Sequence, residues 1–273
     1  MTYGERQYEA IKRFGGVCAG IDPHASLLRD WELNDDVASV REFSLRVVEA
    51  LAGYVAAFKP QSAFFERFGS RGIAVLEEVL DAIRSYDSLA VLDVKRGDIG
   101  STMAGYADAY LSPSAPLRAD AITVSPYLGY SSLEATIRYA YQHDRGVFVL
   151  GLTSNKEADE IQHVGQPAVA RRVFDYVCQA NEAAACTPGS VGLVVGATIG
   201  DGAQRAGIEL ASFNGIYLAP GVGAQGAGER ELQELFADVP TLASASRSIL
   251  AAGPRADDLR SAARALAQWN NRS

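Results

Sequence analysis

The sequence predicts an α/β fold, and within that class a single (β/α)8 barrel, or TIM barrel. Its 273 residues contain eight short apolar runs, and a stretch with helical spacing follows each of them. The runs are continuously apolar rather than alternating, which is typical of parallel strands that are covered on both faces. Such a barrel needs roughly 250 residues. Because no linker or change of composition divides the chain, we expect one domain over residues 1–273.

The predicted elements alternate along the chain. Residues 1–14 are polar and charged, and we expect them to form a short N-terminal helical extension. Strands are predicted over residues 16–22, 55–60, 89–93, 121–126, 146–154, 191–197, 216–220 and 241–246. Helices are predicted over residues 37–54, 72–86, 99–111, 131–142, 168–185, 202–211, 229–236 and 255–269. A doubly wound open sheet is the competing fold, but the first strand–helix turn lacks Gly-x-Gly-x-x-Gly.

Composition and charge argue against several classes of protein. The formal net charge of −8 argues against extended nucleic-acid binding. No apolar run approaches the roughly 20 residues that span a bilayer, so we expect no membrane partner. The N-terminal residues contain no apolar signal core, which predicts a cytoplasmic protein. The three cysteines lack Cys-x-x-Cys spacing and no two histidines have metal-ligand spacing, so we expect neither a disulfide framework nor a metal.

A charged motif, Asp93-x-Lys95-x-x-Asp98, lies at the end of the third predicted strand. On a strand, Asp93 and Lys95 project to the same face because they are two residues apart. A buried lysine tends to lose its proton, but flanking carboxylates keep it charged. The motif is therefore suited to present a proton donor beside negative charge. From these residues alone, a structural ion pair explains the motif about equally well.

Polar side chains stand at the carboxyl ends of most predicted strands, where TIM barrels place their chemistry. Charged groups there reduce stability unless they pair or bind a ligand. The strand ends carry Asp22, Lys59, Asp93 with Lys95, Ser125, Thr153 with Ser154, and Arg247. Several charged groups that meet in one mouth indicate a ligand site rather than isolated polar residues of the core.

A glycine-rich segment after the seventh strand, together with an arginine after the eighth, indicates a phosphate site. Residues 219–228 read Ala-Pro-Gly-Val-Gly-Ala-Gln-Gly-Ala-Gly, and backbone N–H groups in such a loop, at Gly223 for example, can approach an anion closely. Arg247 is placed to bind phosphate oxygens with two nitrogens. Gln225 lies between small residues and is placed to close over the ligand. A tight turn has a similar composition, so the indication depends on the pairing with Arg247.

Together these residues resemble orotidine 5'-phosphate decarboxylase, in particular its longer bacterial branch. The resemblance extends over nearly the whole chain. Its specific pieces are Phe58-Lys59-Pro60, Leu92 to Ile99 with Thr102, Pro220 to Gly226, and Ser246-Arg247-Ser248. The Asp-x-Lys-x-x-Asp motif is shared with sugar-phosphate enzymes of the same barrel superfamily. Lys59 narrows the resemblance, since metal-dependent relatives carry an acidic metal ligand at the end of strand 2.

The resemblance implies an activity and a set of site residues. The activity is decarboxylation of orotidine 5'-monophosphate to uridine 5'-monophosphate, the last step of UMP synthesis, without cofactor or metal. Lys95 would protonate C6, Asp93 would lie against the substrate carboxylate, and Lys59 would bridge Asp93 and the ribose. The remaining contacts would come from Asp22 at the ribose, Ser154 at the base, Gln225 and Arg247 at the phosphate, and Asp98 with Thr102 from the neighbouring subunit of a homodimer.

Other classes of function stay open on the sequence. A metal-dependent sugar-phosphate decarboxylase or aldolase of the same superfamily would lose its activity in EDTA, and Lys59 argues against it. A Schiff-base aldolase would be trapped by borohydride on Lys59 or Lys95. A non-catalytic sensor of a phosphorylated ligand would keep the fold without the chemistry. Such a sensor has no need of a desolvated lysine between two aspartates.

Overall fold

Each of the eight apolar runs contains a strand of one parallel sheet. In the computed structural model of the chain, residues 1–223, 229–236 and 239–267 are described, residues 229 and 230 by their backbone only. The strands are β1 Val17–Ile21, β2 Ala57–Pro60, β3 Val91–Arg96, β4 Ala121–Val124, β5 Gly146–Leu152, β6 Val191–Val195, β7 Tyr217–Pro220 and β8 Thr241–Ala245. They are ordered β2-β1-β8-β7-β6-β5-β4-β3 across the sheet.

Contacts between β2 and β3, the two ends of this order, close the sheet into a barrel. Phe58 forms a parallel bridge with Ala90, and Gln61 forms one with Asp93. Closure pairs the strands that would otherwise be exposed edges. The predicted (β/α)8 barrel is therefore confirmed. The extent of one domain over residues 1–273 stays a prediction, because part of that range lies outside the described residues.

Helices surround the barrel and bury one face each. The helices are α1 Tyr3–Phe14, α2 Ala25–Asp30, α3 Val37–Leu51, α4 Ala63–Glu66, α5 Ser70–Ser85, α6 Gly100–Leu111, α7 Glu134–Gln142, α8 Val169–Ala184, α9 Gly202–Arg205, α10 Glu229–Phe236, α11 Arg247–Leu250 and α12 Ala256–Ala267. In α3, for example, Val40, Phe43 and Val47 are fully buried on one face. Within the described ranges, no helix is long and apolar enough to span a bilayer.

Several loops differ from the predicted elements. The helices α2, α4 and α11 have four to six residues, which is too short to show helical periodicity in a sequence. The helix predicted over residues 202–211 ends at Arg205, because Gly207 adopts a φ of +70° and turns the chain. The third strand continues past Asp93 to Arg96. These differences all lie in the loops and strand ends around the barrel mouth.

The N-terminal helical extension α1 covers the amino-terminal end of the barrel. Tyr3 is 1% exposed and packs edge-on against Phe148, with ring centroids 6.2 Å apart. A Cβ on Gly146 would lie 2.2 Å from the Tyr3 ring, so the glycine allows this approach. The buried Gln7 accepts a hydrogen bond from the Tyr3 hydroxyl over 3.1 Å and donates one to the Ala56 carbonyl over 3.0 Å. With this end covered, the carboxyl-terminal end is left open to a ligand.

We expect Tyr3→Ala to lower the free energy of unfolding by about 3–5 kcal/mol, because it removes an aromatic ring from a packed interior. Tyr3→Phe keeps the ring and loses one hydrogen bond, so its loss is about 1 kcal/mol. Urea denaturation at pH 7 measures both values. Equal losses in the two variants would contradict the expectation, because the hydroxyl rather than the ring would then hold α1 in place.

Candidate active site

A cavity of about 400 Å³ opens at the carboxyl ends of the strands, and all eight strands or the loops after them line it. The predicted site residues that line this cavity are Asp22, Lys59, Asp93, Lys95, Ser154 and Arg247. They come from five different strand ends, which are distant in the sequence. The barrel thus brings together the polar residues that the sequence places one by one.

The carboxylate of Asp93 lies between two ammonium groups. Lys59 Nζ is 3.0 Å from Asp93 Oδ2, and Lys95 Nζ is 2.6 Å from Asp93 Oδ1. The side chains of Lys59 and Asp93 are only 7% and 8% exposed, whereas that of Lys95 is 46% exposed. The arrangement therefore buries one ion pair and presents a second ammonium group, that of Lys95, to a ligand.

The surrounding charges determine the ionisation of Asp93 and Lys59. Burial by itself favours the neutral forms, which raises the pKa of Asp93 and lowers that of Lys59. Attraction to Lys59 and Lys95, with a hydrogen bond from each, outweighs burial and holds the pKa of Asp93 well below its usual range. Attraction to Asp93 and Asp22 raises the pKa of Lys59 above its usual range. Asp93 and Lys59 are therefore charged at neutral pH.

Two side chains that the sequence did not single out also bind this carboxylate. Gln61 Nε2 donates to Asp93 Oδ2 over 3.0 Å, and Thr123 Oγ1 donates to Asp93 Oδ1 over 2.8 Å. With the two lysines, Asp93 accepts hydrogen bonds from four side chains. The signal for Thr123 was its polar side chain within the apolar run of β4, and the signal for Gln61 was its position two residues after Lys59.

Lys95 lies in a β-bulge rather than in a regular strand. Leu92 is paired with Ile122 and Arg96 with Val124, so three residues of β3 stand opposite one residue of β4. Lys95 has a φ of +44°, in the left-handed region that residues other than glycine rarely adopt. Bulges near active sites commonly redirect a side chain. Here the bulge directs the ammonium group to the carboxylate two residues earlier in the chain.

Asp22, after β1, has one paired and one unpaired carboxylate oxygen. Its Oδ2 accepts a hydrogen bond from Ser246 Oγ over 2.6 Å. Gly20 allows Ser246 to approach, because a Cβ on Gly20 would lie 1.9 Å from that hydroxyl oxygen. The other oxygen, Oδ1, is buried and has no hydrogen-bond partner among the described residues. It is an acceptor that a hydroxyl of a ligand can satisfy.

A side chain from the loop after β5 fixes the strand end that carries Ser154. Gln162 Oε1 accepts a hydrogen bond from the Thr153 N–H over 2.8 Å, and Gln162 Nε2 donates to Thr153 Oγ1 over 2.7 Å. The sequence offered no account of this loop. Its long return to α8 places the amide of Gln162 beside Thr153, so that Thr153 and Ser154 are held at the cavity wall.

The predicted phosphate end is described in part. Gly221, Val222 and Arg247 line the cavity, and the Arg247 side chain is exposed. Gly223 has a φ of +77°, and a Cβ there would lie 2.8 Å from that of Ser248. A glycine is therefore needed for both the backbone conformation and the close packing. Gln225 lies outside the described residues.

Asp98 and Thr102 do not line the cavity, although both belong to the described part of the chain. Asp98 is half-buried, and its Oδ1 accepts a hydrogen bond from the N–H of Ile99 over 2.8 Å. Thr102 is exposed in the first turn of α6. Within one chain, then, the third charged residue of the motif is not brought to Asp93 and Lys95.

The donor set of the cavity does not favour a divalent cation. The side chain at the end of β2 is Lys59, which is itself a cation and is paired with Asp93. No group of three or more His, Cys, Asp or Glu side chains is arranged to hold a metal ion within residues 1–223, 229–236 and 239–267.

A closed TIM barrel with charged side chains around a cavity at the carboxyl ends of its strands has the architecture of the TIM-barrel enzymes. The family model described as orotidine 5'-phosphate decarboxylase / HUMPS family matches residues 16–262. The chain belongs to this family. The predicted activity, formation of uridine 5'-monophosphate in the last step of UMP synthesis, is confirmed by the family and by the decarboxylase relatives that follow.

Individual relatives cover nearly the whole chain. The chain is 53% identical over 257 residues to orotidine 5'-phosphate decarboxylase of Nocardioides sp., which covers 92% of each chain. It is 52% identical over 267 residues to that of Salinispora arenicola, which covers 96% of this chain and 94% of the relative. A crystal structure from Streptomyces avermitilis aligns with a TM-score of 0.92 at 48% identity, over 98% of this chain and 94% of the other. The OMP decarboxylase of Leishmania donovani aligns with a TM-score of 0.76 at 34% identity, over 96% and 94%.

We expect Lys59→Met to lower the free energy of unfolding by about 3 kcal/mol at pH 7, because it leaves a buried carboxylate with one cation fewer. The pKa of Asp93 is lowered on folding, so its pairing stabilises the protein above the unfolded value near 3.9 and is lost as the pH falls through the folded value. The difference between variant and wild type should therefore be complete at about pH 5 and should narrow as the pH falls from about 3.9 towards the folded pKa of Asp93. Urea denaturation across that range measures it.

Lys12→Met is the matched control, because Lys12 is half-exposed on α1 and its contacts, an ion pair with Glu9 and a cation–π contact with Tyr8, lie at the surface. It should leave the free energy of unfolding nearly unchanged at every pH. A Lys59→Met protein as stable as wild type at pH 7 would contradict the importance of the buried pair.

Proposed function

We propose that this chain decarboxylates orotidine 5'-monophosphate without a cofactor, and that Lys95 delivers the proton to C6. The observation that carries the proposal is the pairing of a buried, ionised Asp93 with the accessible ammonium of Lys95, 2.6 Å away. Lys59 is nearly as close to Asp93 but is buried, so it supports the charge array while Lys95 reaches the substrate.

The reaction requires a positively charged group close to C6 of the pyrimidine. Loss of carbon dioxide from C6 leaves a carbanion with no ordinary electron sink, so the barrier is very high. An ammonium group held near C6 stabilises the developing negative charge and then protonates the carbon. In the balanced step, the C6–carboxylate bond breaks, its electron pair stays on C6, and the proton moves from Lys95 Nζ to C6.

In this proposal Asp93 raises the energy of the bound substrate, and Lys59 positions it. The Asp93 carboxylate lies against the substrate carboxylate and repels it until carbon dioxide leaves. Lys59 bridges Asp93 and the ribose hydroxyls. The low pKa of Asp93 supports this assignment, because the carboxylate keeps its charge although its side chain is buried.

The remaining contacts are assigned from the positions of the strand ends. Asp22 binds the ribose hydroxyls, an assignment supported by its buried oxygen without a partner. Ser154 contacts the base, and Gly223, Gln225 and Arg247 bind the phosphate. Binding energy from a phosphate remote from C6 can stabilise the closed site and so contribute to the transition state.

We also propose a homodimer in which Asp98 and Thr102 complete the partner's site. Asp98 is two residues before helix α6, and Ile99 between them is 62% exposed. On the next loop, Tyr127 and Leu128 are 74% and 53% exposed. Exposed apolar side chains at neighbouring loops of the barrel mouth fit a surface that a second subunit covers.

A cytoplasmic location is part of the proposal. Cys18, Cys178 and Cys186 are free thiols in the described residues. Unpaired cysteines fit a reducing compartment better than an oxidising one. The proposed partners are the nucleotide substrate and a second copy of the chain. We expect no nucleic-acid partner.

The first test follows the ultraviolet absorbance of orotidine 5'-monophosphate with purified protein. We expect the spectrum to change to that of uridine 5'-monophosphate at the same rate with and without EDTA. Lys95→Ala should lose many orders of magnitude in turnover while it remains folded, because the proton donor and its charge are absent. Activity that EDTA abolishes would overturn the cofactor-free mechanism, and near-normal activity of Lys95→Ala would overturn the role of Lys95.

The second test is subunit complementation between inactive variants. A dimer of one Lys95→Ala chain and one Asp98→Ala chain contains one wild-type site if Asp98 acts across the interface. Random mixing should therefore restore about a quarter of the wild-type activity, since half of the dimers are mixed and each has one active site of two. A mixture of Lys95→Ala with Asp93→Ala is the control and should stay inactive, because both residues belong to the same half of the site. No recovery in the first mixture would contradict the shared site.

A further inference from the structure

We infer that Thr123 is a positioning residue for the proposed reaction: its hydroxyl holds the backbone of Lys95 and one oxygen of Asp93 in a single arrangement. The inference rests on the proposed function. Thr123 is 1% exposed and lies in the middle of β4. Its Oγ1 accepts a hydrogen bond from the Lys95 N–H over 2.9 Å and donates one to Asp93 Oδ1 over 2.8 Å.

The first contact concerns the bulge. In a regular parallel pair, the N–H of a strand residue finds a carbonyl on the neighbouring strand. The extra residues of β3 remove Lys95 from that register, and the hydroxyl of Thr123 takes the place of the carbonyl. Positive φ is strained for a residue other than glycine and persists only where its surroundings enforce it. The Thr123 hydroxyl is one such enforcing contact on Lys95.

The second contact concerns the direction of the hydroxyl proton. The backbone N–H of Lys95 is a donor only, so the hydroxyl oxygen must accept from it. The carboxylate of Asp93 is ionised and is an acceptor only. The Thr123 proton therefore points to Asp93 Oδ1, the oxygen that also accepts from Lys95 Nζ. One hydroxyl thus links the backbone of Lys95 to the carboxylate that its own ammonium binds.

This geometry makes Thr123 a positioning residue. Its hydroxyl proton is committed to Asp93 and its oxygen to Lys95, although the residue also lines the cavity. Loss of the hydroxyl removes the contact that holds the bulge and one of two donors to Asp93 Oδ1. The ammonium of Lys95 is then less well aligned with C6, and small misplacements of a reacting group reduce rates strongly.

The test compares three variants with the wild-type enzyme. Thr123→Val has nearly the same shape without the hydroxyl, and Thr123→Ser keeps the hydroxyl. Thr136→Val is the matched control, because Thr136 in α7 is also 1% exposed but its hydroxyl has no hydrogen-bond partner among the described residues. Each protein is assayed for kcat and KM with orotidine 5'-monophosphate, for uridine 5'-monophosphate affinity by titration, and for folding by thermal unfolding.

For Thr123→Val we expect a roughly tenfold to hundredfold fall in kcat, with KM and product affinity within about threefold of wild type. Thr123→Ser should keep kcat within about threefold, and Thr136→Val should match wild type. If Thr123→Val does not fold, Thr123→Ala replaces it with the same expectation. This split between kcat and KM would not arise from a substrate contact or from a general loss of stability.

Three results would overturn the inference. The first is a Thr123→Val enzyme with wild-type kcat. The second is a loss in Thr123→Ser as large as that in Thr123→Val. The third is a loss of product affinity in step with kcat, which would make Thr123 a binding contact. If the wild-type protein itself shows no decarboxylation, the proposed function fails and the inference falls with it, so the two failures are distinguishable.

Discussion

The buried carboxylate of Asp93 is the constraint on which the arrangement of the site depends. A desolvated negative charge is tolerated only where cations and hydrogen-bond donors surround it. Here the donors are Lys59, Gln61, Lys95 and Thr123, from three adjacent strands. The buried carboxylate of Asp93 therefore requires these four donors beside it. Because attraction between Asp93 and its cations outweighs the cost of burial, Asp93 and Lys59 keep their charges without a bound ligand.

The packing that stabilises the barrel and the charged residues of the candidate site lie at opposite ends of the barrel axis. The amino-terminal end is covered by α1, whose Tyr3 packs against Phe148 inside the barrel. The carboxyl-terminal end instead carries the charged residues around the cavity. Charged groups at that end are compatible with folding because the apolar packing lies in the rest of the barrel. This division explains how a site with a buried, ionised pair, Asp93 and Lys59, can exist in a chain of ordinary composition.

The difference between the two lysines follows from their surroundings. Both contact the same carboxylate, but Lys59 is buried at the end of a regular strand while Lys95 is half-exposed in a bulge. A buried lysine can fix charge, whereas an accessible one can also meet a substrate. In the proposed mechanism this difference assigns the proton to Lys95.

The sequence by itself determined the barrel and the core of the charge array. Continuous apolar runs reveal covered parallel strands, and Asp93 and Lys95 are close along the chain, so local spacing predicts their pairing. Lys59 followed from its position at a strand end. The tertiary structure alone decided the bulge at Lys95, the contacts of Thr123 and Gln162, and the cover provided by α1. The physical reason is register: strands that are covered on both faces are continuously apolar, so their sequence has no alternation that shows which residues of distant segments face each other. In the proposed homodimer, the role of Asp98 depends on the surface of a second chain.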